Sequence, residues 1–471
     1  MTISSVGIGS GLPVTSIVSQ LVAIEKLPLQ QLQTTAAKFQ TQLSLYGTVK
    51  SQISALGDAA ALLAGASGWN AQKATSSNAA AVGVTVGTTA ASAALTVSVQ
   101  QLAQAQSITS AGIAAGTAAG ATGSLSIQLG SWAGAAFTAG ATAAVAVTVD
   151  ATDTVSTIAS KINLANAGVT ATVLSDGINE RLVVRSASTG AAAGFSIAAT
   201  GGNAALSTFD FTNSTATAPT AAGMFMGQSG LDANLKINGV ALTSATNSMT
   251  NVIPGVSLQL LQTTTASVDI TVANDLAVSQ KNIQSFVDAY NALNQTLADA
   301  TKYTAATKTG GPLQGDSTTL GLQNALRVML GSSSAGSTFT RLSEAGLERQ
   351  TDGSLKINQV KLTSAMQNLG NLQSLFTTNN GNASTNGFGL KVRDFARAMV
   401  AFDGQVTSKS AALQGSITRN SKDQDNISAR ASRVETQLLK QYSALDAQMA
   451  QLNGLSSYVT AQLAQWNKST A

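Results

Sequence analysis

The sequence predicts an α+β multidomain protein: N- and C-terminal helices paired as a coiled-coil stalk, a helix-rich middle domain, and two β-rich head domains inserted between the termini. Three observations predict it. Charge is spread unevenly over the 471 residues, with 6 charged residues in 1–73, 11 in 74–274 and 31 in 275–471. Alternating β-branched runs crowd the charge-poor middle, which has no charged residue between Lys73 and Asp150. Apolar residues at both ends recur in steps of three and four, averaging the roughly 3.5-residue repeat of a coiled-coil seam.

The chain opens without the basic region and apolar core of a secretory signal peptide. Gly7, Gly9 and Gly11 mimic a phosphate loop in composition, but no strand precedes them and the P-loop lysine is missing. They read as a lead-in to a helix that starts near Ser10 or Pro13. The N-terminal apolar series is Ile17, Leu21 and Ile24, then Leu29, Leu32, Ala36, Phe39, Leu43, Tyr46, Ile53 and Leu56. Period-two runs follow at 82–86, 95–99, 125–129, 145–149 and 268–272, reading as half-buried antiparallel strands. One helix interrupts them over 153–163, with Val155, Ile158 and Ile162 on one face and Asp153 as its N-cap. Gly168 ends it, and 169–174 and 181–184 form a hairpin about Asp176-Gly177. Gly311, Gly321 and Gly331 mark loops and helix ends, with a position of Gly321 inside a helix as the alternative. Asp423 and Asp425 fit the acidic first turn of the last helix. That helix carries Val434, Leu438, Tyr442, Leu445, Met449, Leu452, Val459, Leu463 and Trp466.

Composition excludes most chemistry. With no Cys there is no disulfide, thiolate nucleophile or Cys-ligated metal, and with no His there is no histidine base or imidazole ligand. No carboxylate constellation stands out among 22 acids, so no enzyme and no cofactor is expected. The net charge of +4 is unclustered, and the Trp residues at 69, 132 and 466 are too scattered for a stacking platform; no nucleic-acid partner is expected. Uncharged stretches are broken by Ser, Thr, Gly and Gln, which argues against a membrane span.

The termini hold the candidate functional residues. Ile17, Leu21, Ile24, Leu452, Val459 and Leu463 lie on the seam, and they read either as intramolecular coiled-coil residues or as a docking surface for other subunits. Leu12, Val18, Val22, Leu27, Leu439 and Leu455 lie off it, so each helix carries more apolar surface than one partner covers.

Gly7-Ile-Gly-Ser-Gly-Leu12, Ser16-Ile-Val18, Leu21-Val22, Glu25 and Pro28-Leu29 resemble the N-terminus of flagellar filament cap proteins, the hook-associated protein 2 (FliD) family. The resemblance continues in order: 93–104, Asn238-Gly-Val240, Asn251-Val-Ile-Pro-Gly-Val256, Phe286-Val-Asp-Ala-Tyr-Asn291, Gly311-Pro-Leu-Gln-Gly-Asp316, Gly346-Leu347, Asp352-Gly353, Tyr442-Ser-Ala-Leu-Asp446 and Tyr458. The unit at 145–185 is similar to a small module of flagellins and their associated proteins. Pro13 and Asn358 depart from the family, which more often has Asp there.

The resemblance implies a structural cap at the distal tip of the flagellum, exported without a cleaved signal peptide through the flagellar type III apparatus. It implies a ring-shaped homo-oligomer, flagellin as partner, and a cytosolic export chaperone on the C-terminal helix. The alternatives are another axial flagellar protein, a flagellin or hook–filament junction protein, and a tip adhesin binding host mucin or glycans. Composition divides the chain into legs (1–42 with 430–471), a mixed, mostly helical domain (43–76 with 275–429), a β-rich head domain (77–110 with 226–274) and an outer head domain (111–225).

Overall fold

A computed structural model describes residues 13–120, 122–201, 205–216, 218–220 and 222–469; the glycine-rich lead-in at 7–11 lies outside them. The described helices are α1 (Val14–Glu25), α2 (Leu27–Ala64), α3 (Val155–Leu164), α4 (Leu276–Thr301), α5 (Ser317–Gly331), α6 (Gln359–Met366), α7 (Leu369–Thr377), α8 (Phe388–Val400) and α9 (Gln405–Ser469). The chain forms two compact units, Met1–Trp69 with Leu276–Ala471, and Asn70–Asp275.

The first unit is helical. α2 buries Tyr46, Val49, Ile53, Leu56, Ala60 and Leu63, a stripe in steps of three and four, against Ile283, Phe286, Val287, Tyr290, Leu293 and Leu297 of α4 and against α8. Two glycines set how closely α8 approaches α2. A Cβ on Gly57 would lie 2.9 Å from the Ala396 Cβ, and one on Gly389 would lie 2.7 Å from the Ala64 nitrogen. Trp69, fully buried, closes this core with its ring 5.5 Å from Phe376. The motif at 286–291 does packing work here: the Tyr290 hydroxyl donates to the Gly353 carbonyl (2.8 Å), and Asn291 bonds both the amide and the carbonyl of Leu355. It thereby latches the two-stranded ribbon of Leu347–Arg349 and Leu355–Ile357 onto α4.

α2 and α9 each run unbroken through the expected edges at 42/43 and 429/430, so legs and helical domain share continuous helices. Because α9 already begins at Gln405, Asp423 and Asp425 sit within it and do not form its first turn. Gly321 lies inside α5 with nothing within 4 Å of an added Cβ. Asn358 caps α6 by accepting from the Lys361 amide.

Where the stalk enters the core, one carboxylate joins three helices. Asp316, the N-cap of α5, accepts from the Thr319 amide (2.9 Å) and from the Tyr46 hydroxyl on α2 (2.5 Å), and its other oxygen pairs with Lys409 of α9 (2.7 Å). Burial pushes this carboxyl up, but the Lys409 ammonium, the Tyr46 hydroxyl and the Thr319 amide together outweigh it and hold it down at about 2. Burial and the Asp316 carboxylate push the Tyr46 hydroxyl upward, so it remains a donor.

The second unit has two cores. In one, a five-stranded sheet in the order Gln72–Ser76, Val268–Asn274, Ala93–Gln101, Ala233–Ile237, Val240–Ser244 shares a core with a three-stranded sheet of Ser248–Ile253, Val256–Leu260 and Val82–Val86. All pairings are antiparallel, and Val97, Val99, Leu235, Ile270 and Val272 alternate inward. In the other, the hairpin of Val169–Ser175 and Asn179–Ser186 and the sheet around Gly123–Ala133 pack on Val155, Ile158 and Ile162 of α3. The strands Ser107–Thr109 and Phe225–Gln228 pair in this second core, a few residues beyond its expected limits of 111 and 225. The cap of α3 is Thr154, whose hydroxyl accepts from the Thr157 amide, and not Asp153. Asp153 instead accepts from the Asp150 amide (2.7 Å) and shares Lys161 with Asp150, a bond that draws its carboxylate away from the helix end.

Two measurements check this packing. Gly389→Ala should destabilise the helical unit by about 1–3 kcal/mol in urea unfolding through overpacking, while Gly321→Ala should stabilise it by about 0.5–1 kcal/mol by restricting the unfolded chain. The folded carboxyl of Asp316 lies below its ordinary value of 3.8. Its contribution is therefore complete above that value and is lost as pH falls from about 3.8 towards 2, a loss of about 2 kcal/mol. Asp316→Asn should remove that acid limb and lower stability at neutral pH by a similar amount.

Candidate functional site

The candidate surface lies on the paired terminal helices. α1 ends at Glu25 with Lys26 as its C-cap, Pro28 supplies no N–H for the Ile24 carbonyl, and α2 follows from Leu27. The Glu25–Arg430 ion pair and the Asp316 junction set α1 and α2 antiparallel to α9. Val14, Val18 and Val22 form the face of α1 buried on α9, against Ala431, Leu438, Leu439 and Tyr442.

This corrects the expected register. The intramolecular seam on α1 runs through Val18 and Val22, together with Val14, and not through Ile17, Leu21 and Ile24. Ile17 is half-buried, Leu21 is 39% exposed and Ile24 is 62% exposed. The physical reason is the step of five from Leu29 to Ile24 in the expected series: the half-buried Leu32, Leu29 and Glu25 continue in steps of three and four to Val22, Val18 and Val14, whereas a step of five moves to a neighbouring face. The signal available in sequence was the step of four linking three valines, whose compact side chains suit a close helix–helix approach.

On α9 the residues beyond Tyr442 are mostly open. Leu452 is 58% exposed, Leu455 60%, Tyr458 62%, Val459 48% and Leu463 54%. Leu452 lies ten residues past Tyr442, about 15 Å farther along the axis. The two groups of candidate residues, Ile17, Leu21 and Ile24 on α1 and Leu452, Val459 and Leu463 on α9, therefore occupy successive stretches of the stalk and do not form one contact patch. Leu445, Met449 and Trp466 extend the α9 series at both ends.

This surface is apolar. Its candidate residues carry no titratable side chain, and no group of three acids able to hold a metal occurs among the described residues. No described helix is long and apolar enough to cross a membrane.

The chain is similar to known proteins. Family models for the N-terminus and C-terminus of flagellar hook-associated protein 2 match residues 10–106 and 230–454, together more than half of the chain. A model of the flagellin hook IN motif matches 136–188, the segment that contains α3 and its hairpin. The flagellar hook-associated protein 2 of Escherichia coli (strain K12) is 29% identical over 475 residues, covering 98% of both chains. The B-type flagellar hook-associated protein 2 of Pseudomonas aeruginosa is 28% identical over 486 residues, covering 98% of this chain and 97% of that one. Among solved structures, the D1-D2-D3 domains of the flagellar cap protein FliD from Escherichia coli superpose with a TM-score of 0.57 at 28% identity, covering 79% of this chain and 99% of that chain. With both family models in order along it and relatives aligned from end to end, the chain belongs to the flagellar hook-associated protein 2 family of flagellar cap proteins.

Proposed function

We propose that the chain is a structural subunit of the cap at the distal tip of the flagellar filament, acting as a homo-oligomer that retains exported flagellin and promotes its folding and insertion at the growing end. One observation carries the reading: a helix of 65 residues, α9, continues beyond its pairing with α1 and exposes large apolar side chains along that extension. Burying one such side chain is worth about 1.5–3 kcal/mol, so several in a row make a strong docking stripe.

In this reading Ile17, Leu21, Ile24, Leu452, Val459 and Leu463 engage the end of the filament. Before export the same stripe needs cover, which is the role of a cytosolic chaperone on the C-terminal helix; the chain then leaves through the flagellar type III apparatus. Holding an unfolded flagellin beside its insertion site raises its effective concentration there, and no covalent step is needed.

Antibody against residues 77–274, used for immunogold electron microscopy on intact flagella, should label the distal tip alone. In the double variant Leu21→Asp with Leu463→Asp both sites are exposed, so folded stability should change by no more than about 0.5 kcal/mol, while tip label disappears and flagellin monomer accumulates in the medium. Val18→Asp, in contrast, should loosen α1 from α9, seen as faster amide exchange over 14–25. Tip label retained by the double variant would defeat the docking assignment.

A further inference from the structure

α5 and α8 enclose a second apolar feature, away from the stalk stripe. A groove of about 690 Å3 lies between them and the loop at 383–386, walled by Val328, Met329, Phe395 and Ala398. Val328 is 72% exposed at its lip. One cation sits in it: the Lys391 ammonium donates to the Ser332 hydroxyl (2.8 Å) and the Ser333 carbonyl (2.7 Å) and lies 5.0 Å from the Phe388 ring centre. Among the described residues no carboxylate lies within ion-pair distance of Lys391; Asp394, also on the groove wall, is engaged by the Arg393 guanidinium. Burial pushes the Lys391 ammonium down, the mark of a cation without full compensation. The groove therefore suits an aromatic side chain beside a carboxylate.

The chain displays that pair. Phe402 is 97% exposed, and Asp403 follows it, exposed and without a cation at ion-pair distance among the described residues. Their turn is stiff. The Ala401 amide donates to the Arg397 carbonyl (3.0 Å), the Gly404 amide to the Ala401 carbonyl (2.9 Å), and the Thr407 hydroxyl to the Val400 carbonyl (3.0 Å). Gly404 packs so closely that a Cβ there would lie 2.5 Å from the carbonyl oxygens of Ala398 and Met399. Phe402 is thus held outward, and no described residue fills the groove. A fixed, exposed aromatic loses little entropy on binding.

We propose that the α5–α8 groove is a self-association site that receives the Phe402-Asp403 turn of a second copy, Phe402 entering between Val328 and Phe395 and Asp403 pairing with Lys391. The charge match between a half-buried cation without an ion-pair partner among the described residues and an unpaired acid on the adjoining turn selects a second copy over an unrelated partner. This inference rests on the oligomeric reading above and adds the contact that would carry it.

The test uses the full-length chain in analytical ultracentrifugation over a range of concentrations. Lys391→Glu alone and Asp403→Lys alone each place like charges at the contact and should weaken self-association about tenfold or more. An equimolar mixture of the two variants restores opposite charges at every groove and should associate like the wild type. Phe402→Ala should weaken association similarly without lowering the melting temperature, since the ring is exposed. Single variants that associate normally, or a mixture that fails to recover, would overturn the proposal while leaving an oligomeric cap intact. Normal self-association combined with lost flagellin binding would assign the groove to flagellin and also overturn it. A wild-type chain that stays monomeric at every concentration would overturn the oligomeric reading itself.

Discussion

The helical unit depends on one carboxylate. Asp316 starts α5, receives the Tyr46 hydroxyl from α2 and pairs with Lys409 of α9, so segments far apart in sequence meet at one pair of oxygens. Its side chain is only 10% exposed, and a buried charge of that kind persists because all its partners are present. The junction sits where the stalk enters the packed core. On one side α2 buries a continuous apolar stripe; on the other, α1 and α9 meet through three valines and a small set of partners. Fixing Tyr46 and Lys409 to the same group aligns the two helices before that weaker contact begins.

The division between strong and sparse packing explains the stalk's polar character. Gln, Thr and Ser fill the outer faces of α2 and α9, and many of the Ser and Thr hydroxyls donate to the carbonyl one turn back, as at Thr34, Thr41, Thr418 and Thr436. Such bonds satisfy the hydroxyl locally and contribute nothing to partner choice. The surface energy available for recognition is therefore concentrated in a few exposed leucines, isoleucines, valines and aromatics, Leu21 and Ile24 on α1 and the rest on α9 beyond the point where α1 stops covering it.

The β-rich unit solves a different problem, forming its cores from strands with hardly any charge. Valines and isoleucines alternate inward along antiparallel strands, and the buried Gln106 and Ser110 are locked to backbone. Gln106, fully buried, donates to the Phe195 carbonyl (2.8 Å) and accepts from the Phe195 amide (2.9 Å), and the Ser110 hydroxyl accepts from the Leu182 amide (2.9 Å). These bonds allow a chain with no charged residue between Lys73 and Asp150 to bury polar atoms at little cost.

By itself the sequence determined the element types and their order. Period-two runs became strands at the residues where they alternate, the 3–4 repeats became helices, and the collinear motifs identified the family. These signals are local, set by side-chain shape and backbone propensity over a few residues. Tertiary structure decided which of two apolar faces α1 buries, because three valines in steps of four allow the closer approach to α9. It also decided that Thr154 caps α3, since Lys161 competes for Asp153, and that α9 begins at Gln405, well before its acidic pair. In each case several local choices were chemically equivalent, and the packed structure selected one.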